Sequence, residues 1–176
     1  MNIRLAQETD LDSILKVIET AFSDEENKVI MNLVQELHQE TISPSIKSLV
    51  AEVDNQVIGY VSFSPIFLKS DSSIVGYILA PLAVSPEHQK QGVGSNLINA
   101  GIEMLTKDGV GVLMVYGDPA YYGRFGFKEE IGHSFLPPYP LQYPFGWTGM
   151  MLNGTVVPEE PIQFECVSAL SKPDLW

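Results

Sequence analysis

The segment with most chemistry in it runs Val84-Ser85-Pro86-Glu87-His88-Gln89-Lys90-Gln91-Gly92-Val93-Gly94-Ser95-Asn96-Leu97-Ile98. A strand-like run ends at Val84 and a helix-like run opens near Val93. Glycines at 92 and 94 let the backbone between them curl, so that successive N–H groups face one concavity. The first N–H groups of the following helix, and the positive end of its dipole, add to it. The chemistry this offers is the binding of a diphosphate by main chain alone, with Lys90 as added positive charge. No Gly-Lys-Ser/Thr follows, so this is not a Walker A loop, and the dinucleotide pattern G-x-G-x-x-G is absent as well. On residue chemistry alone, a tight strand-to-helix turn without a ligand stays open. Other candidate groups are scattered: His88, His133, Glu25, Glu26 and Glu52, each of which also reads as a solvated surface group. The single cysteine, Cys166, allows no intrachain disulfide and no zinc site built on thiolates alone. It sits in the apolar run 164–167 and reads as a small core residue.

A loop of this kind needs a strand and a helix to hold it. Ile3 to Leu5 reads as a first strand, and Asp10 as the N-cap of a helix carrying Leu11, Ile14, Leu15, Ile18 and Phe22 on one face. Val29, Ile30, Leu33, Val34 and Leu37 form a second such stripe behind the acidic turn 24–26. The period then changes. Residues 48–53 and 56–63 are β-rich and flank Asp54-Asn55, a hairpin signal. A turn at 69–72 leads to a long strand over 74–84, in which Pro81 predicts a bulge or local splay because it cannot donate to the ladder. A helix follows over about 93–107, with Gly109 as its stop. The next strand covers 110–116. Asp118-Pro119 reads as N-cap and N1 of a short helix ending near Phe125. The aromatic, proline-rich remainder holds two more strands, near 149–152 and 163–170. The order predicts one domain over 1–176, a mixed α+β fold. Its mostly antiparallel sheet has about seven strands with about four helices, splayed next to Pro81–Val84.

The chain has 176 residues and a formal charge of −12. That charge disfavours nucleic acid and anionic membrane as partners and suits a cationic one such as an amine. Apolar stretches break well before the roughly 18 residues of a membrane helix, and Met1 to Leu5 lacks the pattern of a signal peptide, so a cytoplasmic location is expected.

Gln89-x-x-Gly92-x-Gly94 resembles the Q/R-x-x-G-x-G/A motif of the GNAT superfamily of acyl-CoA N-acyltransferases, with Leu82, Val84, Pro86 and Leu97-Ile98 matching around it. Tyr122-Gly123-Arg124-Phe125-Gly126-Phe127 is similar to the family's Y-x-[KR]-x-G-F ending, and Ile3-Arg4-Leu5-Ala6 through Ala21-Phe22 to its first strand and helix. The likeness covers most of residues 1–130. Gly117-Asp118-Pro119-Ala120-Tyr121-Tyr122 resembles a bacterial branch of predicted N-acetyltransferases. The resemblance implies a GNAT-like domain that binds acetyl-CoA and releases CoA. In it Gln89, Lys90, Gln91, Gly92, Val93, Gly94 and Ser95 wrap the diphosphate, while Leu82, Ala83 and Val84 offer main-chain groups to the pantetheine arm. A backbone N–H near Val84 would polarise the thioester carbonyl.

Tyr122 matches the tyrosine from which the family protonates the CoA sulfur, and it also borders the cofactor; Tyr121 stands next to it as the alternative. The implied reaction is direct attack by a primary amine, on a small molecule or a peptide, in a ternary complex. A lysine-like amine costs roughly 4.6 kcal/mol to hold neutral at pH 7, so a general base would help. One departure leaves that base unassigned: residues 78–84 carry no carboxylate where many relatives have a glutamate. A second is the missing asparagine common after the following strand, with Asp118 there reading as a helix cap. The competing reading is a non-catalytic acyl-CoA sensor or interaction module; a nucleotide-binding regulator would instead prefer ATP or GTP over CoA. The ring-rich segment 135–147 reads either as an acceptor-pocket wall acting through cation–π contacts or as a packed irregular loop. Acceptor specificity is expected in 25–39 and the C-terminal loops. No metal site is expected, and a homodimer stays open.

Overall fold

The computed structural model describes residues 1–69 and 73–176, so most of the turn expected at 69–72 lies outside the described residues. The strands are β1 (Asn2–Leu5), β2 (Lys47–Val53), β3 (Gln56–Leu68), β4 (Gly76–Val84), β5 (Val112–Tyr116), β6 (Phe135–Leu136), β7 (Trp147–Met151) and β8 (Ile162–Cys166). The α-helices are α1 (Leu11–Ala21), α2 (Asp24–Gln39), α3 (Val93–Lys107), α4 (Pro119–Tyr122) and α5 (Glu129–Ser134). The result is the expected mixed α+β fold with one mostly antiparallel sheet, in the order β1-β2-β3-β4-β5-β7, with β8 paired to β3 and β6. No helix among the described residues is long and apolar enough to cross a membrane.

The chain forms two compact units: Met1–Phe63 with Pro81–Gly101, and Ser64–Ala80 with Ile102–Trp176. In the first, α1 buries Ile14, Val17 and Ile18 with Val34 of α2, Val50 of β2, Tyr60 of β3 and Ala83 of β4. Asp54 and Asn55 both take positive φ, 49° and 63°, which is the two-residue turn that suits the twist of the β2–β3 hairpin. Helix α3 lies close on β3 because glycines make room for it. A Cβ on Gly59 would stand 3.0 Å from Val93 and from Leu97, and one on Gly101 only 2.0 Å from Cζ of the fully buried Phe63. Gly101→Ala therefore gains about 1 kcal/mol of helix propensity but overpacks the core by up to about 3 kcal/mol. We expect a net loss of about 1–2 kcal/mol, read as a fall of several degrees in Tm, part of which a second change, Phe63→Leu, restores.

In the second unit β4 and β5 run parallel from Gly76↔Val112 to Leu79↔Val115, a register that ends two residues before Pro81. β7 pairs with β5, and β8 with β3 over Ile66–Leu68. Trp147 stacks on Phe164 and donates its indole N–H to the Phe135 carbonyl at 2.8 Å.

Several local expectations shift. Asp10 stands where a cap would, but its backbone is already helical and its side chain does not cap α1. The carboxylate instead accepts the Gln7 N–H at 2.7 Å and pairs with Arg4, which also holds Glu52 at 2.7 Å; Arg4 keeps the Asp10 carboxyl below its ordinary range. Two partly buried partners outcompete one exposed cap. Val29 of the second stripe is 45% exposed, and the buried face of α2 takes in Asn27, whose amide donates to the Glu19 carbonyl. The final strand ends at Cys166, not 170, because residues 168–170 form a 3₁₀ turn and Ser171 Oγ donates to the Cys166 and Val167 carbonyls. Cys166 is a buried core residue, its thiol pushed up to about 12 by burial.

Candidate functional site

The loop after β4 is braced by Ser85, Gln89 and Gln91. Ser85 donates its N–H to the Ile58 carbonyl at 2.9 Å, and its hydroxyl lies 2.9 Å from His88 Nδ1. Residues 86–88 make one 3₁₀ turn. Gln89 Nε2 donates to the Val84 carbonyl at 3.0 Å, and Gln91 Nε2 to the Glu87 carbonyl at 2.8 Å. The two glutamines thus fold the loop back on its own strand. The resemblance places Gln89 among the residues that wrap the ligand; in the structure its side chain bonds the Val84 carbonyl and braces the loop.

The curl itself comes from Lys90 at φ +59° and Gly92 at φ +84°. Positive φ at alternating positions turns successive N–H groups to one side, the geometry of an anion nest. At the start of α3 the Asn96 N–H donates to the Gly92 carbonyl at 2.9 Å. The N–H groups of Val93, Gly94 and Ser95 stand ahead of it with no intrahelical acceptor. Val93 sends its side chain into the core against Gly59, which fixes the helix start to the sheet. Gln89 to Gly92 are exposed, so the concavity is open to solvent. This donor set, main-chain N–H groups plus Lys90, fits a diphosphate. On the strand leading in, Ala83 points into the core while Leu82 and Val84 are only partly covered.

Tyr122 belongs to the other unit. Asp118 Oδ1 accepts the Ala120 N–H at 2.9 Å and Pro119 occupies the first turn, so the expected cap and start of α4 are present. A 3₁₀ turn then runs to Phe125, and Gly126 at φ +96° ends it. The Tyr122 ring meets Tyr121 and Phe127 edge-on, with centroids 5.1 and 5.8 Å away. It presses so close to Gly117 that a Cβ there would be 2.6 Å from Cε2. Burial, and then the neighbouring Tyr121 and Asp118, push the Tyr122 phenol above its ordinary value, so it is a protonated donor at any physiological pH. Tyr121 is engaged differently: the Arg124 guanidinium lies 4.6 Å from its ring centroid.

The candidate bases each have their own partner or setting. Glu52 is held by Arg4, Glu26 accepts the Ser23 hydroxyl at 2.7 Å at the exposed start of α2, and His133 lies exposed, 3.7 Å from Glu129. Among the described residues no group of three or more His, Cys, Asp or Glu could hold a metal ion. The rings of 135–147 are joined by Tyr116, which no sequence motif marks and whose phenol oxygen accepts the Tyr143 N–H at 2.7 Å. Its position at the end of β5 was the available signal.

Comparison with known proteins follows the same outline. A family model for the acetyltransferase (GNAT) domain matches residues 2–129. The N-acetyltransferase YjhQ of Escherichia coli K12, itself uncharacterized, is 33% identical over 157 residues, covering 88% of this chain and 84% of that protein. The crystal structure of YhbS from Escherichia coli, a GNAT family N-acetyltransferase solved with CoA, aligns at TM-score 0.84 and 26% identity, over 97% of this chain and 92% of that one. A GNAT family acetyltransferase from Brucella melitensis, solved with acetyl-CoA, aligns at TM-score 0.68 and 26% identity over 97% of both chains. These CoA-bound neighbours support acyl transfer from an acyl-CoA as the chemistry of the fold. A match that takes in the first strand, the nest and the Tyr122 turn, and relatives alike over most of both lengths, make this chain a member of the GNAT acetyltransferase family.

Proposed function

We propose that the chain transfers an acetyl group from acetyl-CoA to a primary amine by direct attack in a ternary complex. The observation that carries this reading is the nest at Lys90 and Gly92, continued by the free N–H groups at the start of α3. Gln91 to Ser95 hold the diphosphate by main chain, Lys90 adds charge, and Gln89 keeps the loop in shape. Leu82, Ala83 and Val84 offer backbone groups to the pantetheine arm. Bound acetyl-CoA supplies the thioester: the amine nitrogen bonds to the carbonyl carbon, the carbon–sulfur bond breaks, and the amine's surplus proton ends on the sulfur. Tyr122 assists that last transfer. A phenol of ordinary pKa 10 losing its proton to a thiolate of pKa about 8.5 is uphill by about 2 kcal/mol, and the raised Tyr122 is a weaker acid still. Its role is therefore hydrogen-bond donation to the departing sulfur, which takes its proton from the attacking nitrogen.

Calorimetric titration tests the reading. Acetyl-CoA is expected to bind at one saturable site and ATP not at all, with CoA released when a primary amine is added. Absence of acetyl-CoA binding at about millimolar concentration would overturn it.

A further inference from the structure

A cavity of about 470 Å³ opens at the end of β5, walled by Tyr116, Gly117, Asp118, Pro119, Tyr143 and Phe145. That volume suits a small organic ligand. Tyr143 and Phe145 are 54% and 60% exposed, yet they are not on a loose loop. The Tyr143 N–H is fixed to the Tyr116 hydroxyl at 2.7 Å, the Gly146 N–H to the Tyr143 carbonyl, and the Gly117 N–H to the Gly146 carbonyl, each at 2.9 Å. Gly146 is needed for this closeness, since a Cβ there would lie 2.8 Å from the Gly117 carbonyl oxygen. The two rings stand 6.0 Å apart at 60° to one another, an open corner of aromatic faces. Among the described residues the only charged group on the walls is Asp118, whose Oδ1 is engaged by the Ala120 N–H. Rigid exposed rings beside one carboxylate attract a cation on an apolar body. The place also suits the chemistry: Gly117 forms part of the wall and touches the Tyr122 ring, and Asp118 caps the four-residue helix that ends in Tyr122.

The geometry points to this cavity as the acceptor subsite for a primary amine carried on an apolar ring or chain. Tyr143 and Phe145 grip the body, and Asp118 draws in the ammonium. The inference rests on the acetyl-transfer reading above.

The test compares 2-phenylethylamine with ethanolamine at saturating acetyl-CoA, reading released thiol. Wild type is expected to prefer 2-phenylethylamine in kcat/KM by about tenfold or more, from burial of the ring. Tyr143→Ala with Phe145→Ala should lose that preference, mainly through KM. Asp118→Asn, which preserves the cap, should raise KM severalfold. The acetyl-CoA Kd should stay unchanged in each variant. Saturation-transfer NMR of 2-phenylethylamine on the CoA-loaded protein gives a second readout that needs no turnover: a signal lost in the double variant supports the subsite. Equal use of both amines, or unchanged kinetics in the variants, overturns the subsite and leaves the acetyltransferase reading standing. So does a double variant that alters only the sedimentation of the protein, which would make this face a self-contact. Failure of wild type to bind acetyl-CoA overturns both.

Discussion

Tyr122→Phe should lower kcat by about 10²- to 10³-fold while leaving the acetyl-CoA Kd and the Tm within error of wild type. The ring fills the seat beside Gly117 and between Tyr121 and Phe127, and phenylalanine fills it equally well. The change removes only the hydroxyl, so packing is kept and the donor to the departing sulfur is lost. Loss of one preorganised hydrogen-bond donor to charge developing in the transition state is worth about 2.7–4 kcal/mol of barrier, which gives the stated range. The companion change Tyr121→Phe should be mild, because that ring works as a platform for Arg124 and keeps this role without its hydroxyl. Stopped-flow measurement of a single turnover, with each protein preloaded with acetyl-CoA, separates the step from product release. Equal rates for Tyr122→Phe and wild type would remove Tyr122 from the chemistry. Wild type that binds acetyl-CoA tightly and turns over no amine would favour the sensor reading.

The second large effect is expected at Gly92. The space around it is open, with Asn96 Nδ2 the nearest atom at 3.9 Å, so a new side chain meets nothing. The obstacle is the backbone, because φ +84° is costly for any L-residue and worst for a β-branched one. Gly92→Val should therefore flatten the nest and turn away at least one N–H from the diphosphate. A hydrogen bond to a charged group is worth about 1.5–3 kcal/mol, so the acetyl-CoA Kd should rise about 10- to 100-fold. Gly92→Asn is the control, since asparagine tolerates the left-handed region, and most of the affinity should remain. Calorimetry on both variants, with Tm measured alongside, decides the point. If valine and asparagine weaken binding equally, the side chain matters and the backbone argument fails.

Some features of this protein were legible in the chain because they depend on neighbours in sequence. Asp54-Asn55 turns the hairpin, Gly109 ends α3, and Asp118-Pro119 opens α4, since each depends on which φ angles and local hydrogen bonds a residue permits. The nest was legible in part: Gly92 takes positive φ, as glycine permits, but Gly94, expected to share the curl, lies inside α3, and Lys90 takes the other positive φ. The motif at 89–94 and that at 122–127 carried the family by likeness, and the family match bears it out.

Other features needed the tertiary structure. Asp10 has the residue type and position of a cap, but Arg4 and the Gln7 N–H claim its carboxylate, and that choice depends on where β1 and β2 bring Arg4 and Glu52. Alternation could not say that β8 pairs with β3 nearly a hundred residues away, because a period of two marks a strand and not its partner. Nor could glycine content say which glycines are seats. Gly101 under Phe63 and Gly117 under Tyr122 are set by ring positions fixed elsewhere in the fold. The corner of Tyr116, Tyr143 and Phe145 is of the same kind. Its rings were visible in the sequence, but backbone bonds joining residues 116 and 117 to 143 and 146 are what turn them into a wall.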